Sequence, residues 1–299
     1  MFKSIERFAE LYERRGTHFE IIKDTLWVES NRMVAPVGPA KFNYTISKED
    51  GGYLLTKFPK ALLVRYTDGI QNDKLVGEWY AVICDTFLDL NELPAKNRSE
   101  IRRGLKNCDV KMVDSDFIAE HGYHVYASAL ENYTGAKIKA ITENQFKRNI
   151  LLEKDFHDIR HYWGVLHNDK LIAYSANYIY DTIEVDYTAI KFHPDYLKLY
   201  PSYALIYTMN QYYLKEKSFE YVNDGFRNIL HQTNIQKYLI EKFRFKKAYT
   251  NLKVVYKPYL SFLLSVTFPL RKYFSKTNPK LKALYKLEEM HRNCKNFEN

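Results

Sequence analysis

Alternating apolar and polar positions dominate the stretch from His161 to Pro258 and predict most of its secondary structure. Aromatic and β-branched residues alternate with polar ones in three consecutive runs, which indicates three strands. A helix, a strand, a second helix and two closing strands are then predicted. The order is βββαβαββ, from the segments HYWGVLHND, KLIAYSANYIYD, TIEVDYTAIKF, PSYALIYTMNQYYLKEK, FEYVND, LHQTNIQKYLIEKFRF, KKAYTN and LKVVYKP.

The first 95 residues begin with a short helix, SIERFAELYERRG, whose apolar positions share one face. Strands are predicted at FEIIKDTLWVES, YLLTKF, KALLVRYTD and EWYAVICDTF, separated by the turn-rich segments VAPVGPA and KEDGG. Pro94 is the best boundary, because proline ends the preceding element and Asn97 or Ser99 can cap a following helix. We therefore predict a strand-rich region (1–95), a mixed helix and strand domain (96–258) and a C-terminal tail (259–299).

Two segments resemble those of a known superfamily. SFEYVNDGF followed by LHQTNIQKYLIEKFRF resembles a strand, an Asp-Gly turn and a helix of the GNAT-fold N-acetyltransferases, especially the Fem-type aminoacyltransferases. KNRSEIRRGLKNCDVKM resembles the helix that opens the Fem-type domain. The resemblance covers about residues 96 to 257. It implies an α+β fold with a central, mostly antiparallel sheet flanked by helices, and it allows the first 95 residues to be a degenerate copy of that fold.

The predicted strand TIEVDYTAIKF carries two acidic residues on one face. Alternation places Glu184, Asp186 and Thr188 on one side of the strand, and Ile183, Val185, Tyr187 and Ala189 on the other. In the superfamily that this chain resembles, the equivalent strand borders the acceptor cleft, which implies that Glu184 or Asp186 is the general base. An ammonium acceptor must lose a proton before it attacks an acyl carbon. An exposed strand face with two solvated acids is the structural alternative.

The segment after that strand departs from the coenzyme A enzymes. Their glycine-rich loop brings backbone N–H groups to the pyrophosphate, whereas this chain has Pro201, Ser202 and Ala204 there, and Pro201 lacks an N–H group. No bound cofactor is expected, and the acyl donor is either aminoacyl-tRNA or acyl-coenzyme A. The tyrosine that serves as the acid in the coenzyme A enzymes is also replaced, because Ile240 holds its position and Tyr238 lies two residues earlier.

Further residues are candidates for donor or substrate binding. Arg102 and Arg103 form either a phosphate or tRNA contact or a solvated basic face. Asp224 and Arg227 follow a predicted strand at its carboxyl end, where this fold opens its cleft. Asn234 either meets a donor or caps its helix. The histidines His121, His124 and His157 lack the spacing of metal ligands, so no metal site is expected.

The net charge of +9 is concentrated near the end of the chain. From Asn251 onward there are ten Lys or Arg residues and three acidic ones. The apolar run PYLSFLLSVTFPL is too short to span a bilayer. With the basic residues that follow it, this run predicts reversible binding to an anionic membrane surface. The alternative is that Phe262, Leu263 and Val266 pack against the N-terminal region and the Lys-rich helix is solvated.

The N-terminal residues and the cysteines indicate the compartment in which the protein works. The charged N-terminus lacks a signal-peptide pattern, which predicts a cytoplasmic protein, and three widely spaced cysteines argue against a disulfide framework. Three functions stay open. The first is transfer of an acyl or aminoacyl group to an amine of a cell-envelope or glycan precursor. The others are N-acetylation of a small metabolite with acyl-coenzyme A and a non-catalytic, membrane-associated or nucleic-acid-binding adaptor.

Overall fold

The computed structural model describes residues 2–70, 78–131, 140–229, 234–274 and 278–295. Two compact units are present. The first comprises residues 1–82, 226–234 and 247–299, and the second comprises residues 83–225 and 235–246. In the described residues, no helix is both long and apolar enough to cross a membrane.

Strands and helices occur singly or in consecutive groups of two or three along the described chain. Four short 3₁₀ or π segments supplement them, at Leu90–Glu92, Pro194–Leu199, Gln211–Glu216 and Phe268–Leu270. In chain order the elements are α1 (Ile5–Arg14), β1 (Phe19–Ile22), β2 (Thr25–Ser30), β3 (Met33–Val37), α2 (Lys48–Lys57), β4 (Leu63–Thr67), β5 (Tyr80–Cys84), α3 (Ala95–Asn107), β6 (Asp109–Val113), α4 (Ser115–His121), α5 (Tyr123–Glu131), α6 (Glu143–Leu151), β7 (Arg160–His167), β8 (Lys170–Tyr180), β9 (Glu184–Phe192), α7 (Pro201–Asn210), β10 (Tyr221–Phe226), α8 (Asn234–Phe243), β11 (Lys246–Tyr249), β12 (Leu252–Tyr256), α9 (Pro258–Thr267), α10 (Arg271–Phe274) and α11 (Pro279–Lys295).

The first unit is built on a five-stranded sheet in the order β1-β2-β3-β4-β12. β12 pairs antiparallel with β4, so a strand near the end of the chain completes a sheet that begins at Phe19. Helix α11 lies against this sheet, with its Leu287, Met290 and Cys294 in one buried cluster with Trp79. The unit therefore draws its core from both ends of the chain.

Two predictions for the first 95 residues are wrong. YLLTKF and KEDGG form helix α2 rather than a strand and a turn. A capping box starts the helix, because the Ser47 hydroxyl accepts from the Asp50 amide and the Asp50 carboxylate accepts from the Ser47 amide. VAPVGPA contains strand β3, and its pairing with β4 involves only Met33 and Val34. Pro36 is tolerated in β3 because that position needs a partner strand on one side only.

The second unit holds most of a seven-stranded sheet in the order β11-β5-β10-β9-β8-β7-β6. The predicted order βββαβαββ is confirmed from β7 through β12, and α7 continues into a π turn at Gln211–Glu216. β7, β8 and β9 form antiparallel pairs, whereas β9 and β10 are parallel and are joined by the α7 crossover. One boundary differs from the prediction, because Pro94 rather than Asn97 or Ser99 precedes α3. Gly122 lies between α4 and α5.

Helices cover both faces of this part of the sheet. On one face, Tyr162, Tyr174 and Ala176 pack with apolar residues of α4, α5 and α6. On the opposite face, the Tyr187 hydroxyl donates to Asn210 of α7 at 2.8 Å, and the Trp163 indole donates to Tyr213 at 2.8 Å. Aromatic side chains with a polar tip suit such positions because the ring packs while the tip is hydrogen-bonded. The many tyrosines thus serve the core of the second unit.

Candidate functional site

The parallel pair β9 and β10 brings together the acidic residues that the sequence singles out. Tyr221 lies opposite Glu184, Val222 opposite Val185, and Asn223 opposite Asp186. Asp224 follows Asn223 within β10, and Gly225 has φ +83°, which glycine adopts without steric cost. The parallel pairing of the two strands ends at Asp186 and Asn223, and Asp224 is the next residue of β10.

Glu184 has the properties of a structural residue. Its side chain is buried, with 1% relative exposure. The Tyr221 hydroxyl donates to one carboxylate oxygen, and the Asn223 amide donates to the other at 2.9 Å. Asn223 also accepts from the Gly225 amide at 2.8 Å, so Glu184 is linked to the turn that follows β10. A buried charge with such partners anchors the strand pair.

Asp186 and Asp224 have a different environment. Both are partly exposed, and no hydrogen bond or ion pair joins either carboxylate to another residue of the described chain. Burial in protein raises the pKa of Asp224 from 3.8 to about 7. Burial also raises the pKa of Asp186 well above its ordinary value, and the nearby Glu184 and Asp224 carboxylates add to the rise. Unpartnered carboxyl groups with raised pKa values are typical of sites of proton transfer.

A β-bulge follows Asp186 and changes the side-chain pattern of β9. Tyr178 pairs with Asp186 and Ala176 pairs with Ala189, so two residues of β9 face one of β8. The prediction that Ala189 lies on the face opposite Asp186 is therefore wrong. Ala189 packs instead on the cluster of α4, α5 and α6. The sequence pattern does not reveal the extra residue, because Tyr187 and Thr188 fit an uninterrupted alternation.

Arg160 lies in the same row of paired residues as Asp186. It pairs with Tyr178, which pairs with Asp186, and its guanidinium lies over the Tyr178 ring at 4.4 Å. It donates to Glu153 at 2.7 Å and to Thr188 in the bulge at 2.7 Å. Sequence reasoning missed this row, whose members come from separate segments. Arg160 and Glu153 also line a cavity of about 510 Å³ beside β6 and β7.

Helix α3 presents the basic residues of the second candidate region. Arg102 and Arg103 are exposed, and with Arg98 and Lys106 they line a groove of about 370 Å³. The Arg103 guanidinium lies over the Tyr200 ring at 5.8 Å. The structure thus places Arg103 close to the residue that precedes α7.

The start of α7 does not offer the amide cradle of a pyrophosphate loop. Pro201 has no N–H group, and the amides of Tyr203 and Ala204 both bond the Tyr200 carbonyl oxygen. Helix α3 closes over this point, because a Cβ atom on Gly104 would lie 2.6 Å from that oxygen. Ser202 is engaged as well, since its hydroxyl accepts from Tyr238 at 3.0 Å. These residues do not fit a coenzyme A pyrophosphate in the arrangement that P-loop-like turns use.

Arg227 and Asn234 belong to the first unit. Arg227 donates to the Glu78 carbonyl at 2.8 Å, and its guanidinium lies over the Tyr80 ring at 5.9 Å. Asn234 is exposed at the first position of α8. Arg227 therefore has a clear packing role within that unit.

The three cysteines take packing positions, whereas His121 and His157 are exposed. Cys84, Cys108 and Cys294 are free and buried, and burial raises the pKa values of Cys84 and Cys108 to about 11. His124 hydrogen-bonds the Leu171 carbonyl at 2.9 Å. In the part of the chain that the structure describes, no three His, Cys, Asp or Glu side chains form a group that could hold a metal ion.

Comparison with known proteins identifies the fold. No family model matches the chain, and no curated protein matches it. Among solved structures, the C-terminal domain of a protein named as a lysylphosphatidylglycerol synthetase from Agrobacterium fabrum is 13% identical, with a TM-score of 0.52 over 87% of this chain and 90% of that one. A conserved protein of unknown function from Bacteroides thetaiotaomicron is 16% identical, with a TM-score of 0.51 over 85% and 90%.

The structure of FemX also matches, at 11% identity and a TM-score of 0.48 over 73% of this chain and 82% of that one. At identities this low, the two structures with TM-scores above 0.5 show the fold and no activity. The mixed α+β architecture with helices on both faces of the sheet agrees with the fold that the sequence resemblance implies. This chain has a GNAT-like fold.

Proposed function

We propose that the second unit transfers an acyl or aminoacyl group to an amine, with Asp186 as the general base. One observation carries the proposal: Asp186 and Asp224 lie where the parallel pairing of β9 and β10 ends, partly exposed, with carboxylates that no other residue of the described chain binds and with raised pKa values. A carboxylate with a raised pKa accepts a proton from an ammonium group far more readily than a solvated one.

In the proposed reaction the acceptor ammonium loses one proton to the Asp186 carboxylate. The freed nitrogen attacks the acyl carbon, a C–N bond forms, and the C–O or C–S bond to the donor breaks. The nitrogen loses a second proton as the amide forms, and the departing oxygen or sulfur takes up that proton. Burial is the main cause of the raised pKa of Asp186, and charge repulsion from Glu184 and Asp224 adds to it, so protonation of Asp186 also depends on these neighbours.

The surroundings of α7 favour an aminoacyl-tRNA donor over acyl-coenzyme A. The α7 start lacks amides for a pyrophosphate, whereas the α3 groove offers Arg98, Arg102, Arg103 and Lys106 to a phosphate backbone. Transfer from tRNA to an amine of a cell-envelope or glycan precursor is therefore our first choice. N-acetylation of a small metabolite is the second, and it is favoured if acetyl-coenzyme A binds.

Donor binding distinguishes these functions. A ligand that binds only the folded protein raises its melting temperature. We expect charged tRNA to raise Tm more than uncharged tRNA does, and acetyl-coenzyme A and longer acyl-coenzyme A species to leave it unchanged. A rise with acetyl-coenzyme A at micromolar concentration would refute the proposed donor, and the absence of any donor effect would favour the adaptor function.

Transfer itself is tested with Asp186→Asn, which keeps the size of the side chain and removes its basicity. We expect the transfer rate to fall about a hundredfold, since general-base catalysis contributes about 10²- to 10⁴-fold. The variant should be at least as stable as wild type, because it removes a carboxylate that burial disfavours. Asp109→Asn is the matched control, because Asp109 lies on edge strand β6 with its side chain 66% exposed. Equal rates in wild type and Asp186→Asn would exclude Asp186 as the base.

A further inference from the structure

The segment 258–274 presents an apolar stripe to solvent. Helix α9, the 3₁₀ turn at Phe268–Leu270 and α10 follow one another along it. Six large side chains recur there at spacings of three, four or seven residues, which places them along one side of the segment. They are exposed by 51% to 73%: Tyr259, Phe262, Leu263, Val266, Leu270 and Tyr273.

The opposite side of the same segment holds it in place. Leu260 and Leu264 are buried and pack with Tyr285 of α11, and Phe268 and Phe274 extend the same cluster. The Tyr285 hydroxyl donates to Thr267 at 2.9 Å. The stripe is therefore held outward by a packed helix, and the alternative prediction that Phe262, Leu263 and Val266 pack against the protein is wrong.

This concentration of exposed apolar side chains indicates an interaction surface. Single exposed apolar residues are normal on protein surfaces, whereas contiguous patches mark interaction sites. Twelve large hydrophobic side chains are exposed in the described residues, and six of them lie between Tyr259 and Tyr273. From Lys257 to Leu287 the sequence has seven basic residues and no acidic one. Two of the seven form ion pairs with acids outside that span, Arg271 with Glu289 and Lys286 with Glu78 and Glu289.

We infer that this stripe docks on an anionic lipid surface. An apolar helix face bordered by lysine and arginine suits a bilayer interface, where the side chains enter the acyl boundary and the cations meet lipid headgroups. Lys280 and Lys282 are exposed on α11, and Arg271 and Lys272 lie within the stripe region. A second copy of this chain would bring seven further positive charges against these, so charge favours the lipid. The inference is independent of the transferase proposal.

Vesicle binding tests it. We expect the full chain to sediment with vesicles of phosphatidylcholine and phosphatidylglycerol in equal parts, and to bind pure phosphatidylcholine vesicles far more weakly. Phe262→Ser/Leu263→Ser should weaken binding to the mixed vesicles at least tenfold. Ile21→Ser is the matched control, because Ile21 is 52% exposed in the same unit and lies outside the stripe. It should bind like wild type.

The charge is tested separately with Lys280→Gln/Lys282→Gln. Each basic side chain near an anionic surface contributes about a fivefold factor in binding, so the double variant should bind about 25-fold more weakly. Raising the salt concentration should reduce wild-type binding in the same direction. Equal binding of Phe262→Ser/Leu263→Ser and wild type would overturn the inference. So would a wild-type dimer that becomes monomeric in that variant while vesicle binding is absent.

Discussion

Replacing Asp224 with asparagine should stabilise the protein at alkaline pH and leave its stability at acidic pH unchanged. Burial raises the pKa of the Asp224 carboxyl from 3.8 to about 7. Between these two values the native state holds a proton that the unfolded state has lost, so the free energy of unfolding falls as pH rises. Asparagine has the shape of the protonated acid and carries no charge at any pH, so it removes this dependence.

The magnitude follows from the size of the pKa shift. Each pKa unit corresponds to about 1.4 kcal/mol, so a shift from 3.8 to about 7 gives an upper limit of about 4 kcal/mol above pH 7. Asp224 keeps some contact with solvent, which screens its charge, and we therefore expect a gain of about 2 kcal/mol near pH 8. Asp186 titrates beside it and loses one repulsive neighbour in the variant, which acts in the same direction.

The measurement is urea unfolding near pH 4, 6 and 8, with hydrogen exchange of peptides from β9 and β10 as the readout for the second unit. Asp109→Asn is the control, and its stability should differ from wild type by less than about 0.5 kcal/mol throughout. The same pH slope in Asp224→Asn and wild type, or a loss of stability near pH 8, would show that burial does not destabilise the Asp224 carboxylate.

Three further substitutions test the packing around the site. Gly104→Ala should destabilise the protein by about 1–3 kcal/mol in urea unfolding, because the new Cβ atom would lie 2.6 Å from the Tyr200 carbonyl oxygen. Gly52→Ala in α2 is the control. It should leave stability unchanged or raise it by up to about 1 kcal/mol, because the space around Gly52 is open. Glu184→Gln should lower stability by about 1–3 kcal/mol, because an amide replaces one of its two acceptor oxygens; unchanged stability would contradict its anchoring role. Arg160→Gln should cost about 3–5 kcal/mol, because it leaves Glu153 buried without its ion-pair partner, and a thermal scan that shows no loss would contradict this.

The elements of the second unit could be predicted because local pattern and tertiary position agree there. β7, β8 and β9 are half-buried or fully buried strands whose apolar and β-branched residues recur at the period of the pleat. The prediction for the residues of helix α2 was wrong for a local reason. The Ser47 and Asp50 capping box was present in the sequence, but the glycines at 51 and 52 suggested a turn. Gly51 is required by packing instead, since a Cβ there would lie 2.9 Å from Val255.

The candidate site was predictable only in part. The pair Glu184 and Asp186 follows from alternation, but their different environments do not. Glu184 is buried because Tyr221 and Asn223, about forty residues further along the chain, supply its hydrogen bonds. The pKa of Asp186 is raised chiefly by burial and further by Glu184 and Asp224, and only the parallel pairing brings Asp224 near. Such contacts depend on topology, and no local sequence pattern contains them.

The interleaving of the two units along the chain affects how the protein can fold during synthesis. Strand β4 finds its partner β12 only after about 185 further residues, and the cluster around Trp79 is complete only when Cys294 is present. The first unit therefore cannot finish folding while its C-terminal segments are still inside the ribosome, and strand β4 stays unpaired on one side until then. A chain truncated after β12 would likewise expose Trp79 and Leu252, so point substitutions on the surface are the sound way to study the C-terminal segment.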